Sequence, residues 1–184
     1  MSSSLIRAKT KGFGLLEVIL VFAIVIGAAA VVFSVFQSAK PSADASNEAS
    51  NLTTIAANLK STFGMNNSYV GLTRPLAIQA KAIPTSMIKN GTAIATTWGA
   101  VGVAAASAIP GTPCAQAGRC FDLRYTAVPT DTCAKLIQGV AGYFDDVQIN
   151  SVSLFTNGQV DSSKVVSNCA GTASAPVNID FMGH

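Results

Sequence analysis

Lys11-Gly12-Phe13-Gly14-Leu15-Leu16-Glu17, followed by an uncharged and almost wholly apolar run to Phe36, decides the fold of this chain. A basic patch gives way to a glycine and then to a segment with a single carboxylate near its start. At 1.5 Å per residue, residues 13–36 predict a helix of about 36 Å, enough to cross a bilayer core of about 30 Å. A Glu inside such a span costs about 2.5 to 3.5 kcal/mol at bilayer depth, so Glu17 demands a partner. A plain signal anchor supplies none. An ordinary secretory signal has an apolar region of only about 7 to 15 residues and no use for a carboxylate.

Charge locates the rest of the chain. The net charge of +3 comes from Arg7, Lys9 and Lys11, and the remaining nine Lys and Arg balance the nine Asp and Glu. Positive charge flanking a span is held on the cytoplasmic side, so everything after the span is expected to be exported. A neutral exported part gives no footprint for nucleic acid. With 49% hydrophobic and only 11% charged residues, the chain has large surfaces that do not need to face water.

Cys114, Cys120, Cys133 and Cys169 all lie in the exported half, and an even count there reads as two disulfides, with the pairing open. Cys114 and Cys120 bracket a stretch that a small loop disulfide closes. No C-x-x-C pair occurs and the single histidine is His184, which argues against structural zinc. No metal or other cofactor is expected.

Beyond Phe36 the helical pattern turns amphipathic. Pro41 is expected to kink or restart the helix, and Leu52, Ile55, Ala56, Leu59 and Phe63 then recur at helical spacing before Gly64, a natural stop. Pro75 opens a short helix, and Asn90-Gly91 and Asn157-Gly158 are turn signals. Residues 92–109, nearly uncharged around Trp98, read either as a glycine-rich strand pair or loop packed on the head or as a subunit-contact surface. Strands are predicted at 121–125, 147–149, 152–155 and 177–181 from alternation, with a helix after Pro129 capped by Thr130, and a short helix or loop over 162–168. The divisions are 1–12, a basic leader; 13–36, the membrane half of a long helix; 37–63, its amphipathic half; and 64–184, an α+β head with an antiparallel sheet.

Enzyme constellations are missing from this pattern. Ser38 and Lys40 stand two apart and do not share a helix face. Asp145-Asp146 reads as a solvated turn. There is no histidine base within the fold, and no phosphate loop or nucleophile elbow. Asn51, Asn66 and Asn90 stand in glycosylation-type triplets, which matter only in a secretory system that reads them.

Residues 11–18 resemble the processing site of type IV prepilins, in which a basic leader ends in Gly, the next residue becomes the mature N-terminus and a Glu stands fifth from it. Gly12, Phe13 and Glu17 occupy those three positions. The resemblance implies the type IV pilin fold, a long N-terminal α-helix with its apolar half protruding and its amphipathic half packed on the sheet. It implies cleavage after Gly12 by a prepilin peptidase, N-methylation of Phe13, and residence in the bacterial inner membrane with a periplasmic head. Inner-membrane assembly machinery then builds a homopolymeric extracellular fibre for adhesion, aggregation or mating contact. By the same resemblance Glu17 pairs with the amino group of a neighbouring copy's Phe13. The region 121–181 resembles the cysteine-delimited end of type IVb pilins, including the thin-pilus pilins of conjugative plasmids, which implies a Cys133 to Cys169 bond. A proline usual in the membrane half of type IVa pilins is replaced here by Ser34, while Phe13 is a type IVa habit. A pseudopilin of a secretion or competence apparatus, or a minor pilin, shares the same N-terminus and is the alternative to a major subunit.

Overall fold

The computed structural model of the chain describes residues 14–66, 68–170 and 175–184. It divides into two compact units with the boundary between Lys40 and Pro41.

Helix α1 spans Leu15–Phe63 and runs through Pro41 without restarting. Proline deletes one rung of the N–H ladder, and the turns on either side carry the helix across it. Past Pro41 the periodicity works as expected: Leu52, Ile55, Ala56 and Leu59 are buried in the core, with Phe63 half-buried beside them. The helix stops at Phe63, and Gly64–Asn66 form a single 3-10 turn.

The sheet that receives this face has five strands: β3 (Val101–Ala105), β4 (Phe121–Val128), β5 (Asp146–Ile149), β6 (Val152–Ser153) and β9 (Val177–Gly183). Their order is β3-β4-β9-β5-β6, every pair antiparallel. The last strand therefore lies at the centre, with Phe181 opposite Leu123 on one side and Val147 on the other. Alternation sends Phe121, Leu123 and Tyr125 of β4, and Ile179 and Phe181 of β9, into the core. Edge-on rings lock the layer, Tyr69 on Phe121 at 5.3 Å and Tyr125 on Phe181 at 5.8 Å. A register shift between Tyr125 and Val128, with Ala127 at φ 58°, ends the regular ladder ahead of Pro129.

The smaller elements follow local signals. Pro75 sits in the first turn of α2 (Arg74–Gln79). Asn90 and Gly91, both at positive φ, turn β1 (Ile88–Lys89) into β2 (Ala93–Ile94), and Asn157-Gly158 does the same between β7 (Phe155–Thr156) and β8 (Gln159–Val160). Residues 92–109 pack on the head, where Gly99 lets the chain approach Thr126 so closely that a Cβ would lie 2.5 Å from its carbonyl oxygen.

Three expectations need correction. Thr130 does not cap α3 (Thr130–Val140): Pro129 holds the cap position and Thr130 is the first helical residue, with no side-chain cap bond. Residues 152–155 are not one strand. Leu154 is fully buried and its N–H donates to the Val147 carbonyl at 2.9 Å, which splits the segment between the sheet edge and a separate hairpin. Asp146 is no solvated turn. It opens β5 at 0% exposure and accepts hydrogen bonds from Ser153 Oγ at 2.6 Å, Gln148 Nε2 at 2.8 Å and the Val147 N–H at 3.0 Å. Residues 162–168, open between helix and loop, form α4 (Ser162–Cys169), capped by Asp161 Oδ1 on the N–H groups of Ser163 and Lys164.

Candidate assembly site

Gly12 and Phe13 lie outside the described residues, so the candidate site begins at Glu17. The Gly14 carbonyl accepts from the Glu17 N–H at 2.9 Å and from the Val18 N–H at 3.3 Å, which starts α1 and puts the carboxylate in its first turn. That position suits a negative charge, because the unpaired N–H groups of a helix start are its positive end. Among the described residues no cationic group stands within ion-pair distance of Glu17.

Around and beyond Glu17 the helix shows apolar surface on every side. Leu16 is 78% exposed and Phe36 66%, and the large side chains between them are all exposed. A helix of this length and composition can cross a membrane. No Cβ contact limits approach at Gly27, so the small-residue stretch from Gly27 to Ala30 leaves backbone open to a neighbouring helix. Chemically the surface suits apolar partners, and it carries one carboxylate with no ion-pair partner among the described residues.

The cysteines stand in the head. Cys133 of α3 joins Cys169 of α4, with Cα atoms 5.7 Å apart, and Cys114 joins Cys120 at 5.5 Å. The long bridge ties two neighbouring helices, each of which buries side chains in the same core, Leu136 and Ile137 from α3 and Val165 from α4. The short bridge closes a loop that lies over Met182 of the central strand. The sulfurs of Cys114 and Cys120 come within 4.8 Å of an Asp145 oxygen, but both are spent in the disulfide, and neither is a metal ligand in that state.

Two charge constellations escaped the sequence reading. His184 Nδ1 and its backbone N–H lie 2.6 and 2.8 Å from Asp145 Oδ2, which pins the end of β9 to the start of β5. On the sheet face opposite α1, Arg124 makes a two-pronged bond to Asp180, Nε to Oδ1 at 2.5 Å and Nη2 to Oδ2 at 3.2 Å. Asp122 beside them keeps a buried Oδ1 with no partner among the described residues, and burial together with the Asp180 charge pushes its carboxyl up to about 6 against the pull of Arg124. Pattern could have flagged Arg124 and Asp180, since both sit at polar positions of alternating strands. Nothing in the sequence says that those strands are adjacent.

The model of the family described as PilS, N-terminal, matches residues 42–179. No curated protein matches the chain. Among solved structures the chain is similar to TcpA, a type IV pilin from Vibrio cholerae El Tor biotype. The two are 12% identical with a TM-score of 0.55, over 79% of this chain and 99% of that one. A likeness at that identity speaks to fold, and the family match covers most of the head and helix α1 from Ser42 onward. The chain belongs to the PilS N-terminal family and has the fold of a type IV pilin.

Proposed function

We propose that this chain is the major subunit of a type IVb pilus, made with a leader that a prepilin peptidase removes after Gly12. N-methylated Phe13 becomes the new terminus. Before assembly residues 13–36 span the inner membrane with the head in the periplasm. Assembly machinery then draws subunits into an extracellular homopolymer, where Glu17 pairs with the terminal amine of a neighbouring copy. The role is structural, without catalysis or cofactor.

One observation carries this reading: an apolar helix surface, open on all sides, holds a single carboxylate in its first turn. In a dry helix core, a carboxylate and an ammonium relieve each other's buried-charge penalty, and a misregistered neighbour leaves both alone. The pair therefore selects register as well as contact. The disulfide between α3 and α4 supports an exposed fibre, since a covalent tie suits a head that must stay folded outside the cell.

The N-terminal sequence and intact mass of the mature protein test the proposal. A chain starting at N-methylated Phe13 is expected. A retained Met1, or a cut among Ala28 to Ala30, overturns it.

A further inference from the structure

The head carries a polar cleft that the fibre reading does not use. A cavity of about 290 Å³ opens between α1 and the β1–β2 hairpin, lined by Glu48 and Asn51 from the helix and by Ser86, Met87, Lys89 and Thr97 from the facing segment. We propose that this cleft binds one neutral pyranose sugar, gripped by Glu48, Asn51 and Lys89.

Glu48 is the anomaly that points to a ligand. It is only 6% exposed, yet among the described residues the groups that stabilise it are neutral, Asn51 Nδ2 at 3.3 Å and the backbone N–H of Thr97, while the nearby Asp44 charge works against it. Burial raises its pKa above the usual carboxylate value. Tyr125, beneath it in the core, feels the Glu48 charge but its hydroxyl has no hydrogen-bond partner among the described residues. A carboxylate desolvated to this degree is stabilised by any guest that donates hydrogen bonds to it.

The charges of the cleft choose the class of guest. Lys89 lines the same cavity, farther from Glu48 than an ion pair allows, with its Nζ donating to the Ser86 carbonyl at 3.4 Å. A simple cation is repelled by Lys89 and a simple anion by Glu48. A zwitterion fits the sign pattern but must shed two ionic hydration shells on entry. A neutral polyhydroxy ring meets both walls, its hydroxyls donating to Glu48 and to Asn51 Oδ1 while accepting from Lys89. The buried Met87 offers an apolar contact for the ring's C–H face. Thr96 plays no part, because its hydroxyl is already spent donating to the Gly99 carbonyl and accepting from the Trp98 and Gly99 N–H groups.

This inference does not rest on fibre formation, since the cleft belongs wholly to one head. The test is saturation-transfer NMR on the full chain, held in a detergent without a sugar headgroup, against a millimolar panel of neutral hexoses and N-acetylhexosamines, with glycine as the zwitterion. At least one pyranose should take up saturation, and Glu48→Gln and Lys89→Met should each weaken it at least tenfold, as expected for losing a hydrogen bond to a charged group. Thermal unfolding of both variants separates a lost contact from a lost fold, and Asn51→Ala, at a half-buried position, provides a third gentle probe. Silence from every sugar, a signal unchanged in folded Glu48→Gln and Asn51→Ala, or saturation of glycine alone overturns the proposal.

Discussion

The two halves of helix α1 differ in what their apolar side chains meet. Between Leu15 and Phe36 every large one is exposed, whereas Leu52, Ile55 and Leu59 are fully buried against the sheet. Both stretches are helical, so local propensity does not separate them. What separates them is arrangement: the first half is apolar all round, and the second confines its apolar residues to one stripe with Ser, Asn, Thr and Lys elsewhere. A stripe is satisfied by a core within the same chain. An all-round apolar surface is satisfied only by lipid or by other helices, so the comparison divides self-sufficient structure from structure that waits for partners.

The sharpest way to break that division is to remove the one charge in the waiting half. In subunits cleaved normally, Glu17→Ala should abolish fibres if Glu17 makes the proposed pair, because deleting one member of a buried pair strands the other at a cost of about 3 to 5 kcal/mol per subunit. Head stability, followed by thermal unfolding, should not move. Glu17→Gln sharpens the point: it keeps a polar side chain and loses only the charge, and sheared-fibre yield at the wild-type level in either variant removes the assigned role.

The self-sufficient half should show the opposite pattern, a loss of stability that does not depend on assembly. Replacing both Cys133 and Cys169 by Ala opens a loop of 36-residue separation and should cost about 4 kcal/mol in the chain-entropy model, against about 2 for Cys114 with Cys120. Denaturant midpoints rank the two, and equal losses would mean that the bridges constrain the unfolded chain alike. Leu52→Ala should follow at about 3 kcal/mol from lost transfer energy and an unfilled cavity. The same truncation at exposed Leu20 should leave head unfolding unchanged.

Much of this division was legible in the sequence. The apolar helix, the stripe from Leu52 to Phe63, the stop at Gly64 and both Asn-Gly turns are local patterns, and each is found where its chemistry puts it. The misses share a different cause. Asp146 looked like a hydrated turn residue beside Asp145. Pairing of β5 with β9 sets it beside Met182, and pairing with β6 brings Ser153 to its Oδ1, so that it is a buried acceptor. The central place of β9 depends on pairing with strands some 30 to 60 residues before it, and the Arg124 to Asp180 bond joins residues 56 apart, which no local window contains. Thr130 failed as a cap for a subtler reason: Pro129 supplies an extended backbone at the cap position on its own, so the helix starts one residue early. The Glu48 cleft was invisible for the same long-range reason as Asp146, since its far wall comes from the hairpin after α2.

Asp122 marks the limit of the head's self-sufficiency, and it makes the smallest of these predictions. Its carboxyl, pushed up to about 6 by burial and by Asp180, holds a proton in the folded state that the unfolded chain releases near pH 4. Between those values the native state binds more protons than the unfolded one, so stability falls as pH rises from about 4 to about 7. The full penalty, on the order of 2 kcal/mol once partial solvent access and Arg124 are allowed for, is present above the folded value and absent below the unfolded one. Asp122→Asn removes the titration, so its stability relative to the parent should rise across that window and change little on either side of it. Urea unfolding at a series of pH values reads the difference directly. A flat difference would mean that the buried Oδ1 has found a donor, and that Asp122, unlike Glu17, is answered within its own chain.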